Sequence, residues 1–224
     1  TNNQYALVGF GGGSSHFDPN KHLLGGNDWG DATEFATAAG TLVTTGGFED
    51  GWNAMDWALN NYTYRSDAAT QYILVTDEDR DNANNLLTYA NVLASLNNAN
   101  ITLNAVVNHG FKTSGNLTAL GVADDTTAYR ADGSGGFTSS LGGSATSGFG
   151  TTKADYINMA WATGGAGWNL NQLRVGGNTA TSFTGAFVDH KVSEVLSVPL
   201  PGAAWMGLVL LSGLGLTRRL RRRR

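Results

Sequence analysis

An α/β fold with a doubly wound, mostly parallel sheet is predicted by three features of the sequence. Two short, nearly all-apolar runs, Tyr72 to Val75 and Ile101 to Val107, read as strands buried on both faces. Segments with apolar residues at three-to-four spacing lie before, between and after them. The order strand, helix, helix, strand, helix, strand then requires crossover helices and parallel pairing.

The elements follow in chain order. Tyr5 to Phe10 is strand-like and ends in glycines. Asp31 is placed to cap a helix with Phe35, Ala38, Ala39 and Leu42 on one side. Gly46 and Gly47 make a turn, and Glu49 and Asp50 stand where a helix dipole favours acids. Trp52, Met55, Ala58 and Leu59 give that helix an apolar face. After the first buried strand, Asn84 to Leu96 reads as a helix with Leu86, Leu87, Ala90, Leu93 and Ala94 inward. Residues 112–152 are rich in Gly, Ser, Thr and Ala and poor in large apolar side chains, so a long loop insertion is expected there. Tyr156, Ile157, Met159 and Ala160 mark a helix stopped by Gly164 and Gly165. Trp168 to Leu173 is a short element of undecided type. Phe183 to Leu196 closes the domain as a helix with Phe187, Val188, Val192 and Val195 inward.

Composition narrows the function. A chain of 224 residues is long enough for one domain with a substantial core. Only 14% of residues are charged and 31 are glycine, which excludes a long coiled coil. Cysteine is absent, and with it disulfides, thiolate metal sites and a cysteine nucleophile. Six of the 14 basic residues are arginines between Arg218 and Arg224, so residues 1–217 carry eight basic against 18 acidic side chains. That balance of −10 repels phosphate backbones and argues against nucleic acid as the partner.

The C-terminal 27 residues, 198–224, read VPLPGAAWMGLVLLSGLGLTRRLRRRR. Pro199 and Pro201 precede an uncharged apolar run, residues 202–217, with Trp205 near its start. As a helix this run spans about 24 Å, short of a ~30 Å hydrocarbon core, a gap that local thinning and snorkelling arginines close. The arginine end, residues 218–224, is expected to stay cytoplasmic, leaving the rest of the chain outside. A buried terminal helix would need acidic partners for six arginines, and none lie nearby. The order V-P-x-P, apolar helix, Arg cluster resembles the PEP-CTERM sorting signal, with Pro-Leu-Pro where the tripeptide Pro-Glu-Pro is usual. The resemblance makes residues 198–224 an address: Pro199, Pro201, Arg218 and Arg219 belong to a signal that an exosortase reads. It implies an exported protein, anchored in the membrane until processing and then passed to the cell surface or extracellular matrix of a bacterium.

The body, residues 1–197, also carries a resemblance. YALVGF, GGFEDGWNAMDWAL, ILVTDEDRD, ITLNAVV and DYINMAWATGGAGWNL occur in the order of a von Willebrand factor type A domain, a Rossmann-like fold. They would be its second strand, its Gly-Gly loop and following helix, its fourth and fifth strands, and its closing elements. The family binds a divalent cation, usually Mg²⁺, and oxygen ligands are what that ion requires. The resemblance transfers one ligand cleanly, Asp77, and offers Glu49 or Asp50 where a threonine is usual. The family's DxSxS loop and first strand have no counterpart, which implies an N-terminally truncated domain with an incomplete metal site. A second reading of each residue remains open. Asp77, Glu78 and Asp79 read equally as a solvated turn with Asp77 capping the next helix, and Glu49 and Asp50 as helix N-terminal charges. Asp124, Asp125 and Asp132 lack calcium-loop spacing and read as solvated acids. The histidines show no ligand pair and read as surface or capping residues.

A non-enzymatic adhesion module binding a protein or polysaccharide in the envelope or matrix is therefore expected. The alternatives are a matrix-polymer hydrolase using Asp77 with Glu49 or Asp50, and a structural matrix protein without a ligand.

Overall fold

The computed structural model describes residues 3–11, 18–43, 46–123 and 126–197. The chain divides into two units, Thr1–Asp189 and His190–Arg224. The first opens with β1 (Leu7–Gly9) and β2 (Asn20–His22), then α1 (Ala32–Ala39) and α2 (Gly51–Asn61). A β-α-β unit follows: β3 (Thr70–Thr76), α3 (Tyr89–Asn98) and β4 (Ile101–Val107). Five short strands come next: β5 (His109–Lys112), β6 (Gly121–Ala123), β7 (Ala128–Ala131), β8 (Phe137–Ser140) and β9 (Ser144–Gly148). A π-helical turn, Lys153–Ile157, runs into α4 (Asn158–Ala162), and β10 (Ala166–Asn169), α5 (Leu170–Arg174) and α6 (Gly177–Ser197) complete the order.

The central sheet has the strand order β3-β4-β10-β6-β7-β8. β3, β4 and β10 pair in parallel, whereas β10-β6, β6-β7 and β7-β8 are antiparallel. The expected α/β class holds, and parallel pairing is confined to the three-stranded half. Alternation along β4 separates two cores. Leu103, Ala105 and Val107 pack with Trp52 and Met55 of α2, Val92 and Leu96 of α3, and Tyr156, Ile157 and Met159. Val106 belongs instead to a cluster with Trp168, Tyr129, Phe183 and Ala186. Helices therefore cover both faces of the sheet.

Several expectations are corrected. Among the described residues YALVGF does not enter the central sheet, because β1 pairs with β2 in a separate two-stranded ribbon. Residues 112–152 are not a long loop insertion: they supply β6, β7 and β8 to the central sheet and pair β9 with β5. Their strands are built largely from Gly, Ala, Ser and Thr, with Val122, Tyr129, Arg130 and Phe137 scattered singly among them, and they are joined by turns at which Gly133, Gly135 and Gly142 take positive φ, so no aliphatic run announces them. β3 is not buried on both faces. It is an edge strand, and Ile73 and Val75 are half exposed. Leu86 is 78% exposed, because the helix begins only after the Thr88 cap. Val188, Val192 and Val195 face outward, and it is Phe183 and Ala186 of α6 that are buried. His109 and His190 are buried rather than at the surface.

Other expectations hold. Asp31 caps α1 in a capping box with Glu34, and Asp50 caps α2. The undecided element at Trp168 is a central strand, β10, followed by α5. It carries little β-propensity but needs its glycine: a Cβ at Gly167 would stand 2.8 Å from Phe111 and 3.0 Å from Ile157.

Candidate functional site

The three parallel strands end side by side, and the residues just beyond them form a hydrogen-bonded row. Asn108, after β4, donates to the Asp77 carbonyl at 3.2 Å, and Asn171, in α5 just past β10, donates to Asn108 at 2.8 Å. Arg174 closes the row with a 2.8 Å ion pair to the Asp77 carboxylate, both side chains about half exposed. The acidic cluster thus lies at strand carboxyl ends as the sequence implied, but Asp77 caps no helix. Thr88 caps α3 instead.

The loop before α2 meets the loop after β3. Glu49 accepts a short hydrogen bond from the Thr76 hydroxyl, and its backbone N–H donates to Asp81 at 2.6 Å. The Asp81 N–H donates back to the Glu49 carbonyl at 2.9 Å. Burial, reinforced by the charges of Asp77, Glu78 and Asp81, pushes the Glu49 carboxyl up from its ordinary value, against the Thr76 bond. Part-exposed Glu78 is pushed up as well, by partial desolvation and then by Asp81, Asp77 and Asp79.

Asp50 has a different environment. Its side chain is 2% exposed, and Oδ1 accepts from the Trp52 and Asn53 N–H groups and from Arg80 Nε at 2.9 Å. Oδ2 accepts from Arg80 Nη2 at 3.3 Å and from the Asn84 N–H at 3.4 Å. The Arg80 guanidinium lies 4.2 Å from the Trp52 ring centroid, a cation–π contact over a desolvated face. One carboxylate therefore caps a helix and neutralises the arginine that ties the β3–α3 loop down.

A third strand of contacts reaches residues 149–156. The Thr151 N–H donates to Asp79 at 3.0 Å, and the Thr151 hydroxyl lies 2.6 Å from the Asp155 carboxylate. Burial raises the Asp155 carboxyl, with Asp79 and Asp50 adding to it and Arg80 and Thr151 opposing it. Trp52 Nε1 donates to the Asp155 carbonyl at 3.0 Å, and the Tyr156 hydroxyl accepts from the Gly51 N–H at 3.1 Å.

The residues read as metal ligands do not fit a shared Mg²⁺ ion. Both oxygens of Asp50 are taken by an arginine and by backbone donors, and Asp77 is paired with Arg174. Among the described residues no three His, Cys, Asp or Glu side chains are grouped to hold a metal ion. Asp132 accepts from Ser134 and Gly136 in a local turn that holds its carboxyl low, as expected of a solvated acid. Asp124, Asp125, Pro199, Pro201, Arg218, Arg219 and the run 202–217 lie outside the described residues. No described helix is long and apolar enough to cross a membrane.

Sequence reasoning missed Arg80, Arg174, Thr151 and Asp155. Arg80 had a signal, as the one cation inside the run Asp77 to Asp81. The others had none: Arg174 and Thr151 meet Asp77 and Asp79 across 97 and 72 residues, and Asp155, although four residues from Thr151, is tied to the site through Trp52, 103 residues away. Two cavities, of about 210 and 310 Å³, are lined by other residues, among them Lys153 and Trp161 in the first and His22 and Glu34 in the second. Compared with known proteins, the chain matches no family model, no curated protein and no solved structure.

Proposed function

We propose that the chain is a non-enzymatic binding module of a bacterial envelope or extracellular matrix, a von Willebrand A-like domain delivered by a PEP-CTERM-like signal. The observation that carries the binding reading is the convergence of Glu49, Asp77, Glu78, Asp79 and Asp81 at the carboxyl ends of the parallel strands, where open α/β sheets bind ligands. This rim takes a protein or polysaccharide bearing positive groups, through hydrogen bonds and charge. Asp50 stays out of that contact and serves the scaffold. The tail supports export: an uncharged run ended by six arginines is a membrane segment and an exosortase address. An acidic body disfavours nucleic acid.

A hydrolase pairing Asp77 with Asp50 loses its second carboxylate to Arg80. A cation bridge would have to rest on Glu49 and Asp77 without Asp50, so binding is expected to persist in EDTA. The test is retention of the chain on isolated envelope and matrix polymers. Charge reversal by Asp77→Lys with Glu78→Lys should abolish retention, and unchanged retention would sink the binding reading. Loss of retention in EDTA would restore the cation.

A further inference from the structure

The end of α6 has its polarity reversed. In the unit His190–Arg224, Val192, Val195 and Leu196 are 53, 50 and 79% exposed. At 100° per residue they occupy a single arc about 100° wide on the last two turns. The ionisable groups sit on the other side: His190 pairs with Glu194 at 2.9 Å, Lys191 also pairs with Glu194, and all three are mostly buried. A helix end bathed in water carries the opposite arrangement.

We infer that this aliphatic arc lies in the headgroup region of a lipid bilayer, a juxtamembrane contact that holds the end of α6 against the membrane. The inference rests on the reading of residues 202–217 as a membrane segment and adds a second, peripheral contact to it. The tether selects the occupant. Ser197 and Gly202 are five residues apart, so even a fully extended chain keeps the last turn of α6 within about 18 Å of the start of the apolar run. The headgroup zone itself is about 5–8 Å deep on each side of the hydrocarbon. A side chain so tethered meets that zone at high effective concentration, and apolar helix faces bury themselves about 5–10 Å into it. A second copy of the chain is the poorer occupant. Three part-exposed aliphatic side chains offer far less than the ~800 Å² per partner of a stable interface.

The chain has no cysteine, so single cysteines report cleanly. Full-length Val192→Cys, Val195→Cys and Leu196→Cys, with Ser193→Cys on the flank as control, would be labelled with a polarity-sensitive fluorophore. Each would be reconstituted into phosphatidylcholine vesicles with and without brominated lipid. Flotation of the vesicles reads the anchor; emission and quenching read the arc. Support is co-flotation with blue-shifted emission at 192, 195 and 196 and bromine quenching there on the order of twofold above that at 193. Co-flotation with equal, water-like signals at all four positions overturns the contact and leaves the anchor standing. Failure to float overturns both. Concentration-dependent shielding in the absence of lipid assigns the arc to a second copy and overturns the bilayer. Val195→Asp, read from the label at 192, should return that label to water while flotation persists.

Discussion

In the parallel half of the central sheet, β4 runs Ile-Thr-Leu-Asn-Ala-Val-Val, and every residue except Thr102 is buried. In the antiparallel half, β8 runs Phe-Thr-Ser-Ser, and none of its residues is buried. The first half gains its stability from apolar surface covered on both faces, β4 lying between two cores. In the second, burial fades outward from β6, which is wholly buried, to exposed β8, where the backbone ladder and Phe137, packed with Tyr129 against the second core, hold the edge. β10 joins the halves, parallel to β4 on one side and antiparallel to β6 on the other. The acidic rim is built on the parallel half, whose helices supply the caps and loops that carry it.

This contrast can be broken first at the joint. Trp168 is fully buried, stacks on Tyr129 at 5.4 Å, touches Phe183 and Phe187, and donates Nε1 to Asn104 at 3.1 Å. Trp168→Ala should cost about 4 kcal/mol in urea unfolding and lower hydrogen-exchange protection in both halves. Leu103→Ala, inside the first core, should cost about 3 kcal/mol. Ser139→Ala on exposed β8 should fall within about 0.5 kcal/mol. Equal losses at 103 and 139 would erase the distinction between the halves.

Asp50→Ala should cost about 3 kcal/mol, since it strands the buried Arg80 guanidinium and uncaps α2. Binding through the rim should weaken in the same variant, because the β3–α3 loop loses its tie.

Glu49 sharpens the comparison through pH. Its carboxyl titrates higher in the folded chain than its ordinary 4.5, so the folded state holds the proton more firmly. Stability therefore falls as pH rises from about 4.5 through the folded value, and the cost stays at neutral pH. Glu49→Gln keeps an acceptor for Thr76 and should raise the melting temperature at pH 7. The gain should vanish below about pH 4.5, where the carboxyl is protonated in both states. A gain that persists there would mean the effect is not electrostatic. The smallest effect is expected at the free edge. Val75→Lys on β3 should change stability by less than about 0.5 kcal/mol and reduce self-association measured by light scattering.

The fold was legible where local chemistry and tertiary placement agree. The Asp31 and Asp50 caps, the apolar face of α2 and the whole of β4 could be read because each is set within a few residues. Apolar periodicity failed at Leu86 and at the α6 valines, since it shows which residues share a face but not whether anything covers that face. β6 to β9 were hidden because small side chains leave no hydrophobic alternation to read. At the rim, the cluster Asp77 to Asp79 was visible. Its partners Arg174 and Thr151, 97 and 72 residues away, were not.

The sequence by itself determined the α/β class, the principal helix caps, the acidic strand end and the arginine-ended tail, all properties of short contiguous segments. Tertiary structure alone decided that the sheet turns antiparallel beyond β10, that Asp50 spends its carboxylate on Arg80, and that β3 is an edge. Each of those depends on which segments meet. Strand partners, charge partners and coverage are properties of pairs distant along the chain, fixed only when the core closes and each buried polar group finds its partner.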